Sequence, residues 1–589
     1  MGIFSKSVES LINYIFIKYS YQNKKFLAKK IFKHFYQINF FIKIGCYVGF
    51  FILNFFSIIY FFNIFKNIEY SKKDKLFQKI IFPFDFLTDK IIELLHALLI
   101  IHYYNTENLK KKITKKVPKK NFYKFIVIGS GHSGSITGYE LNKKFPNNTL
   151  IVEKGNFINS SKTKHPGDEF LKKWNDGGIN TTFFPNMVNF SSGNCFGGGS
   201  EINSGLYHKP DKSFINIWKK KFKVKDFDFK DIKKNAEKIE KKLNLKKKIK
   251  KKELENYFIN GIKKSNSKYS IIPRLVNRNQ TKELSTMTNT YLKDYINENG
   301  HVKINTQINS IKFQNNHWIL KGKTNKKNIF LKCEYLFICC GSIYTNQMIL
   351  ENLRITNKKI LKQFKLHPML KIVAKYPKKV QKINQDVHPI QVSNFYPKYI
   401  IGNAASSPQF ILSGCVDNSK IYKTVREDWE YMSVYHCTYS TGSGRIIKVP
   451  IVKNFITLFD IKKKDLDLFK SSLKNLCNII FLGGADYIIS IFHKKKVILD
   501  KKTYIKKIDN IKSTKDLIFS SVHILGGVTM GEDKKCISNS YGKIKEYKNI
   551  YVNDSPLINT KLLRNPQGII MAIALRNVTN FIKDIKEKL

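Results

Sequence analysis

Three glycines and one acid carry the first chemistry that can be read in this chain. Gly129-Ser130-Gly131-His132-Ser133-Gly134 follows the apolar run Phe125 to Ile128 and opens a segment of helical character through Leu141. An apolar run bounded by glycine predicts a buried strand of a parallel sheet. Gly129 permits a tight turn, Gly131 lets a pyrophosphate approach the backbone, and Gly134 allows the helix to pack closely on the strand. The free N–H groups and partial positive charge at the helix start favour phosphate. A second strand, Thr149 to Glu153, ends in a carboxylate about 20 residues on, where a ribose hydroxyl needs an acceptor. Together these features predict a dinucleotide site. Glu153 favours a free 2′-hydroxyl and disfavours NADP, so FAD and NAD both remain open on these residues.

Further segments with chemical potential follow in order. Gly197-Gly198-Gly199, then Ser200 and Asn203, predict backbone lying against a flat ligand. Lys332 to Gly341 reads as a buried strand ending in glycine, with a helix from Ser342 to Leu350. This repeats the strand–glycine–helix pattern and would return the chain to the same nucleotide. Ser521 to Gly531 sets His523 close to Gly526-Gly527, and Asn549 to Asp554 reads as a strand ending in an acid. Arg564 to Arg576 reads as an apolar helix introduced by Asn565-Pro566, with Pro566 in the first turn and Asn565 at the cap.

The remaining elements must position these groups. The chain, at 589 residues, has room for several domains. Its net charge of +60 would ordinarily point to nucleic acid. Nearly all the basic residues are Lys, however, and base contacts and bidentate phosphate clamps favour Arg. Lys, Ile, Asn, Phe and Tyr, all abundant here, have A/T-rich codons, so biased composition accounts for the charge. Runs such as Lys246 to Lys252 read as solvated faces, with an anionic membrane surface the next partner. The nine Cys lack CxxC spacing, which argues against a zinc site or disulfide framework.

Residues 1–120 read as a helical, membrane-associated region. Ile44 to Phe65 carries no charge and is long enough to span a bilayer. Lys on both sides leaves its orientation open, and the catalytic part is expected on the cytoplasmic side. Leu94 to Tyr104 is too short to span and reads as part of an amphipathic helix. A basic linker with Pro118 follows. The expected fold is α/β: a discontinuous Rossmann-like nucleotide domain (121–208, 281–360 and 511–589), an inserted helical segment (209–280) and an α+β substrate domain (361–510). His301 to Phe313 and His317 to Leu331 read as strands, and strands cluster again from Phe364 to Val449.

In this order, the segments resemble the glucose–methanol–choline (GMC) family of FAD-dependent oxidoreductases over about residues 122–208, 281–370 and 515–580. The resemblance implies non-covalent FAD, since Asn189 to Ser200 holds no His that could tether it. It implies cofactor contacts from Gly129, Ser130, Gly131, Ser133, Gly134, Glu153, Gly198, Gly199, Ser200, Asn203, Asp554, Asn565 and Pro566. The family's active-site base falls on His523 and its partner position on Asn565. The His/Asn-Pro tail, with Leu366-His367-Pro368, is more similar to the cholesterol-oxidase and fatty-alcohol-oxidase branches. A neutral His can take the hydroxyl proton of an alcohol, and Asn can hold its oxygen. The expected reaction is oxidation of a hydrophobic alcohol, with oxygen, a quinone or a cytochrome as electron acceptor. Oxidation of a sugar or polyol, and non-redox flavin chemistry on the same fold, stay open. The reading from another class is a basic surface-binding protein with a vestigial nucleotide fold. His132, His208, His367 and His436 rank below His523.

Overall fold

The computed structural model describes residues 3–21, 24–80, 84–105, 108–112, 120–159, 167–246, 253–275, 284–383, 387–450, 454–559 and 562–587. The linker around Pro118 and most of the Lys246–Lys252 run lie outside the described residues.

The N-terminal region is helical, as its apolar periodicity predicts: α1 (Ile3–Lys18), α2 (Lys24–Phe35), α3 (Phe40–Phe61), α4 (Tyr70–Lys79) and α5 (Phe84–Tyr103). The Asn39 side chain caps α3 by accepting from the Phe41 N–H, and α3 ends at Phe62 in left-handed conformation. These helices do not form an independent unit. Leu11, Ile15, Phe35, Phe50, Leu95 and Leu99 share one core with Val373, Ile411, Tyr422 and Ile489 from far along the chain. His34 Nε2 donates to the Gly177 carbonyl at 2.7 Å, and the Arg426 guanidinium donates to the Tyr19 carbonyl.

The nucleotide sheet has seven strands. At its centre, β1 (Phe122–Ile128) pairs in parallel with β2 (Thr149–Val152) on one side and Lys327–Ile338 on the other. Between β1 and β2 runs α6 (His132–Lys144). Ile550–Val552 pairs in parallel with the C-terminal end of Lys327–Ile338, and His301–Lys303 with β2. The expected strand His317 to Leu331 is instead two strands, His317–Thr324 and the start of Lys327–Ile338. Asn325 and Lys326 both have positive φ, which makes a tight two-residue hairpin turn.

A ten-stranded sheet and a five-stranded sheet form the other half. Strand pairing crosses the expected domain boundaries. Asn180–Thr181, Val188–Phe190, Tyr269–Ile271 and Phe519–Ser521 all join the ten-stranded sheet around Met369–Lys375. The segment 209–280 is likewise more than a surface layer. Phe214, Ile215, Trp218 and Phe222 are buried in the core beneath the nucleotide sheet, while Gly261 packs its helix against the Ile479 carbonyl. The C-terminal helix runs Gln567–Lys586, with Pro566 at its cap position. It starts just after the expected place, so Asn565 precedes the cap.

Close backbone contact holds the glycine loop together. A Cβ on Gly134 would lie 2.0 Å from the Gly129 carbonyl oxygen, and one on Gly129 (φ +100°) would lie 2.2 Å from the Cys339 carbonyl oxygen. Helix propensity alone would favour Ala over Gly within α6 by about 1 kcal/mol. The clash with immovable backbone outweighs that. Gly134→Ala is therefore expected to destabilise the protein by at least about 2 kcal/mol. Gly131→Ala, whose Cβ would meet nothing within 4 Å, is expected to melt like the parent protein when both are free of cofactor. Thermal melts of the two variants check both outcomes.

Candidate active site

A cavity of about 1570 Å³ runs from the glycine loop to the ten-stranded sheet. It exceeds the roughly 300–1,000 Å³ of ordinary ligand pockets, so a dinucleotide and a second molecule can share it.

The nucleotide end is built at the carboxyl ends of the parallel strands. Gly129, Ser130, Gly131, Glu153, Gly198, Gly199, Asn203, Asp554, Asn565 and Pro566 all line the cavity. A Cβ would meet nothing within 4 Å at either Gly131 or Gly199, which leaves open backbone for a phosphate or a flat ring. Glu153 is buried, and its carboxylate accepts from the Ser130 N–H at 3.0 Å, the Ser130 hydroxyl at 2.6 Å and the Gly155 N–H at 2.7 Å. A carboxylate offers about four acceptor sites, so one remains for a ribose hydroxyl. Burial raises the Glu153 pKa, and the hydrogen bonds from Ser130 and Gly155 oppose that rise. These features fit FAD.

Three expected contact residues lie behind the wall. Ser133 is buried and donates to Asp554 Oδ1 at 3.1 Å. Ser200 is buried, donates to the Gly197 carbonyl at 2.7 Å and accepts from the Met287 N–H at 3.0 Å. Gly134 packs beneath Gly129. All three shape the loop without facing the cavity. Asp554 does line it, and also accepts from the Gly341 N–H at 2.6 Å, drawing the second strand–glycine–helix unit to the first. His132 is more than a loop residue. Its Nε2 lies 3.1 Å from Gln567 Oε1, which also accepts from Asn203 Nδ2 at 3.1 Å. This knot ties the glycine loop, the 197–203 segment and the C-terminal helix together.

The same cavity also brings together His523, Asn565 and His367. His367 Nδ1 lies 2.9 Å from His523 Nδ1, and the rings cross nearly at right angles. If His367 accepts, His523 carries its proton on Nδ1 and leaves the Nε2 lone pair for substrate. His523 Nε2 has no protein partner among the described residues, while the Asn565 side chain lies in hydrogen-bonding reach of His208. His208 Nδ1 accepts from the Asn565 N–H at 3.3 Å, and its Nε2 donates to Gln391 Oε1 at 3.0 Å, joining the helix start to the sheet. Burial, then the neighbouring His367, His208 and His436, hold the His523 pKa well below the ordinary value. Burial, with a smaller contribution from Lys365, takes His367 down to about 4.

Sequence reasoning ranked His367, His208 and His436 below His523. Their roles come from strands far apart in sequence. Leu366-His367-Pro368 was the one signal, since an X-Pro pair restricts the backbone before it. The cavity's other wall was also unforeseen. Phe41, Ile42 and Cys46 of α3 and Leu87, Ile91 and Leu94 of α5 line it.

Comparison with known proteins agrees with this architecture. The family model described as GMC oxidoreductase matches residues 123–369, and its C-terminal counterpart matches residues 462–574. The chain is 20% identical over 486 residues to an uncharacterized GMC-type oxidoreductase, y4nJ, of Sinorhizobium fredii, covering 77% of this chain and 93% of that protein. It is 27% identical over 125 residues to an oxygen-dependent choline dehydrogenase of Staphylococcus xylosus, covering 19% and 21% of the two chains. Its fold is similar to that of pyridoxine 4-oxidase from Mesorbium loti (TM-score 0.58, 11% identity, covering 78% of this chain and 99% of that one). An FAD-dependent oxidoreductase from Chaetomium thermophilum is also similar (TM-score 0.55, 12% identity, covering 79% and 100%).

His523→Ala is expected to keep its flavin and to slow anaerobic flavin reduction by about 10²–10⁴-fold, the contribution of a general base. A depressed pKa means that the neutral imidazole persists as pH falls. The reduction rate should therefore stay level from about pH 8 to about pH 6 and decline only below the ordinary histidine range. A rapid-mixing pH series measures this. Gly131→Ala, stable as above, should lose bound flavin, because its methyl would occupy the open cradle.

Proposed function

Since the chain belongs to the GMC oxidoreductase family, which marks it as an FAD-dependent oxidoreductase, we propose that it oxidises the CH–OH group of an apolar, long-chain or sterol-like alcohol. One observation supports this best. A single cavity joins the glycine loop and Glu153, the His523–Asn565 end, and an apolar wall from α3 and α5.

The roles follow from the residues. Non-covalently bound FAD, held along Gly129–Gly131, Glu153, Gly198–Gly199 and Asp554, supplies the hydride acceptor. His523 Nε2 takes the hydroxyl proton. His367 holds the His523 ring and its tautomer. Asn565 holds the alcohol oxygen with its amide, and His208 fixes the Asn565 backbone and side chain. The apolar side chains of α3 and α5 exclude water from the reacting carbon.

Membrane association supports the same reading. α3 is long and apolar enough to cross a membrane, but only 39% of its apolar window is buried. One face packs on the protein, while Phe51, Phe55, Ile58, Ile59 and Phe62 are exposed, the last by 94%. Phe184 nearby is 80% exposed. Phe86 and Met187 are about three-fifths exposed and also line the cavity, so exposed apolar side chains lie at its rim. A helix half covered by protein suits in-plane insertion better than a lone span. The catalytic body then rests on the bilayer, on the cytoplasmic face in this reading, and lipid-dissolved alcohols enter through the mouth. Removing residues 1–115 would strip the shared core, so surface changes test the anchor better. Phe51→Ser with Phe55→Ser and Phe62→Ser should release the protein from liposomes with its flavin retained.

The substrate test is anaerobic flavin reduction by primary alcohols of increasing length, with a sterol and several sugars alongside. Each buried methylene contributes about 0.8 kcal/mol, so kcat/KM should rise about four-fold per methylene until the pocket is full. A flat response with fast reduction by a sugar would transfer the assignment to carbohydrate oxidation. Acid precipitation should release the yellow cofactor as free FAD.

A further inference from the structure

Lys371 is a cation in the cavity wall without a counter-charge among the described residues. It lies on the strand Met369–Lys375, where Leu370, Ile372 and Ala374 enter the core while Met369 and Lys371 line the cavity. Strand pairing sets Lys371 opposite His436, His436 beside Gly402 and Gly402 beside Gln391, one row across the sheet. A Cβ on Gly402 would come 3.1 Å from His436 Nε2, so the glycine leaves room for that ring.

The rest of the row is satisfied. Gln391 accepts from His208, and His436 Nδ1 bonds the Thr438 hydroxyl at 2.8 Å. Lys371 has no hydrogen bond, ion pair or ring contact among the described residues. The other cations lining the cavity are engaged: Arg564 with Asp211, Lys90 with Glu93, and Lys154 over the Tyr344 ring. The acids lining it are engaged too. Glu153 and Asp554 hold the glycine loops, and Glu351 pairs with Lys448.

Lys371 is half-buried, and an ammonium partly withdrawn from water without a partner is unfavourable. Burial lowers its pKa only to about 8, so it remains mostly cationic at neutral pH. Such a group is stabilised when a ligand brings the opposite charge. A single ammonium beside neutral side chains suits a monoanionic carboxylate, whereas a phosphate dianion favours Arg clusters.

We propose that Lys371 receives a carboxylate carried by the substrate, which is therefore an apolar hydroxy acid with its hydroxyl at His523. The substrate identity rests on the alcohol-oxidation reading above. His367, in contact with His523, is four residues from Lys371, at most about 14 Å of extended chain. A hydroxy acid with an aliphatic chain can bridge that span.

The test uses the full-length flavoprotein and two variants, Lys371→Met and Lys371→Arg. Flavin reduction is compared for a straight-chain primary alcohol and the ω-hydroxy acid of equal length. The parent protein should prefer the hydroxy acid. Lys371→Met should lose about 10- to 100-fold in kcat/KM for the hydroxy acid, through KM, and leave the plain alcohol unchanged. Lys371→Arg should keep much of the preference. Equal losses for both substrates, or slowed oxygen re-oxidation with reduction intact, would overturn the proposal. A separate arm titrates a saturated fatty acid, which cannot be oxidised, against the flavin spectrum. Binding by the parent but not by Lys371→Met supports the carboxylate site even if no alcohol reduces the flavin. Equal binding by both overturns it.

Discussion

Three backbones meet at one point with no side chain between them, and the rest of the molecule is arranged around that contact. Gly134 packs on the Gly129 carbonyl, Gly129 on the Cys339 carbonyl, and Gly198 against Gly131. Any Cβ at the buried contacts would force the strands and α6 apart. The contact aligns the carboxyl ends of β1, β2 and Lys327–Ile338, which is where an open parallel sheet binds ligands. Two carboxylates, Glu153 buried and Asp554 half-buried, then lock the loops. Glu153 gathers Ser130 and Gly155, while Asp554 gathers Ser133 and Gly341. Both desolvated acids are held by N–H and O–H donors, which is what makes their burial tolerable.

The second half of the site is set by sheet register rather than by loops. The strand Met369–Lys375 carries a two-residue period: Leu370, Ile372 and Ala374 enter one core, while on the other face Met369 and Lys371 line the cavity and Val373 packs with the N-terminal helices. A shift of one residue would bury Lys371 and expose Leu370 and Ile372. Its pairing with Met432–Tyr439 and Phe519–Ser521 brings His436 and the start of the His523 segment to the same floor. The His523–His367 pair follows from that pairing. The low histidine pKa values share a physical cause, burial in a wall with few acids.

The N-terminal helices close the cavity from outside. Their core is continuous with Val373, Ile411 and Tyr422, so their apolar character serves two purposes. Part of it packs inward and forms the cavity wall, and part of it remains exposed at the rim. Hydrophobicity along Ile44 to Phe65 cannot by itself tell these uses apart, because both need the same residue types.

By itself, the sequence determined the local chemistry. Gly129, Gly131, Gly134 and Glu153 declare a nucleotide loop because no other residue types meet the turn, the close approach and the acceptor at that spacing. Gly341 and Asp554 were legible for the same reason, as was the apolar C-terminal helix. Local periodicity also placed α5 and the strands of the nucleotide sheet, except at the Asn325–Lys326 turn and at Asn305, where the expected strand His301 to Phe313 is two strands, His301–Lys303 and Thr306–Gln314. Only the tertiary structure decided which histidines meet, that Ser133 and Ser200 stand behind the wall, and that α3 and α5 line the cavity. It alone showed that Lys371 lacks a partner among the described residues. These facts depend on hydrogen-bond pairing between strands up to several hundred residues apart, and on which face of a helix is covered. Neither leaves a local pattern in residue type, because burial and pairing belong to the assembled chain.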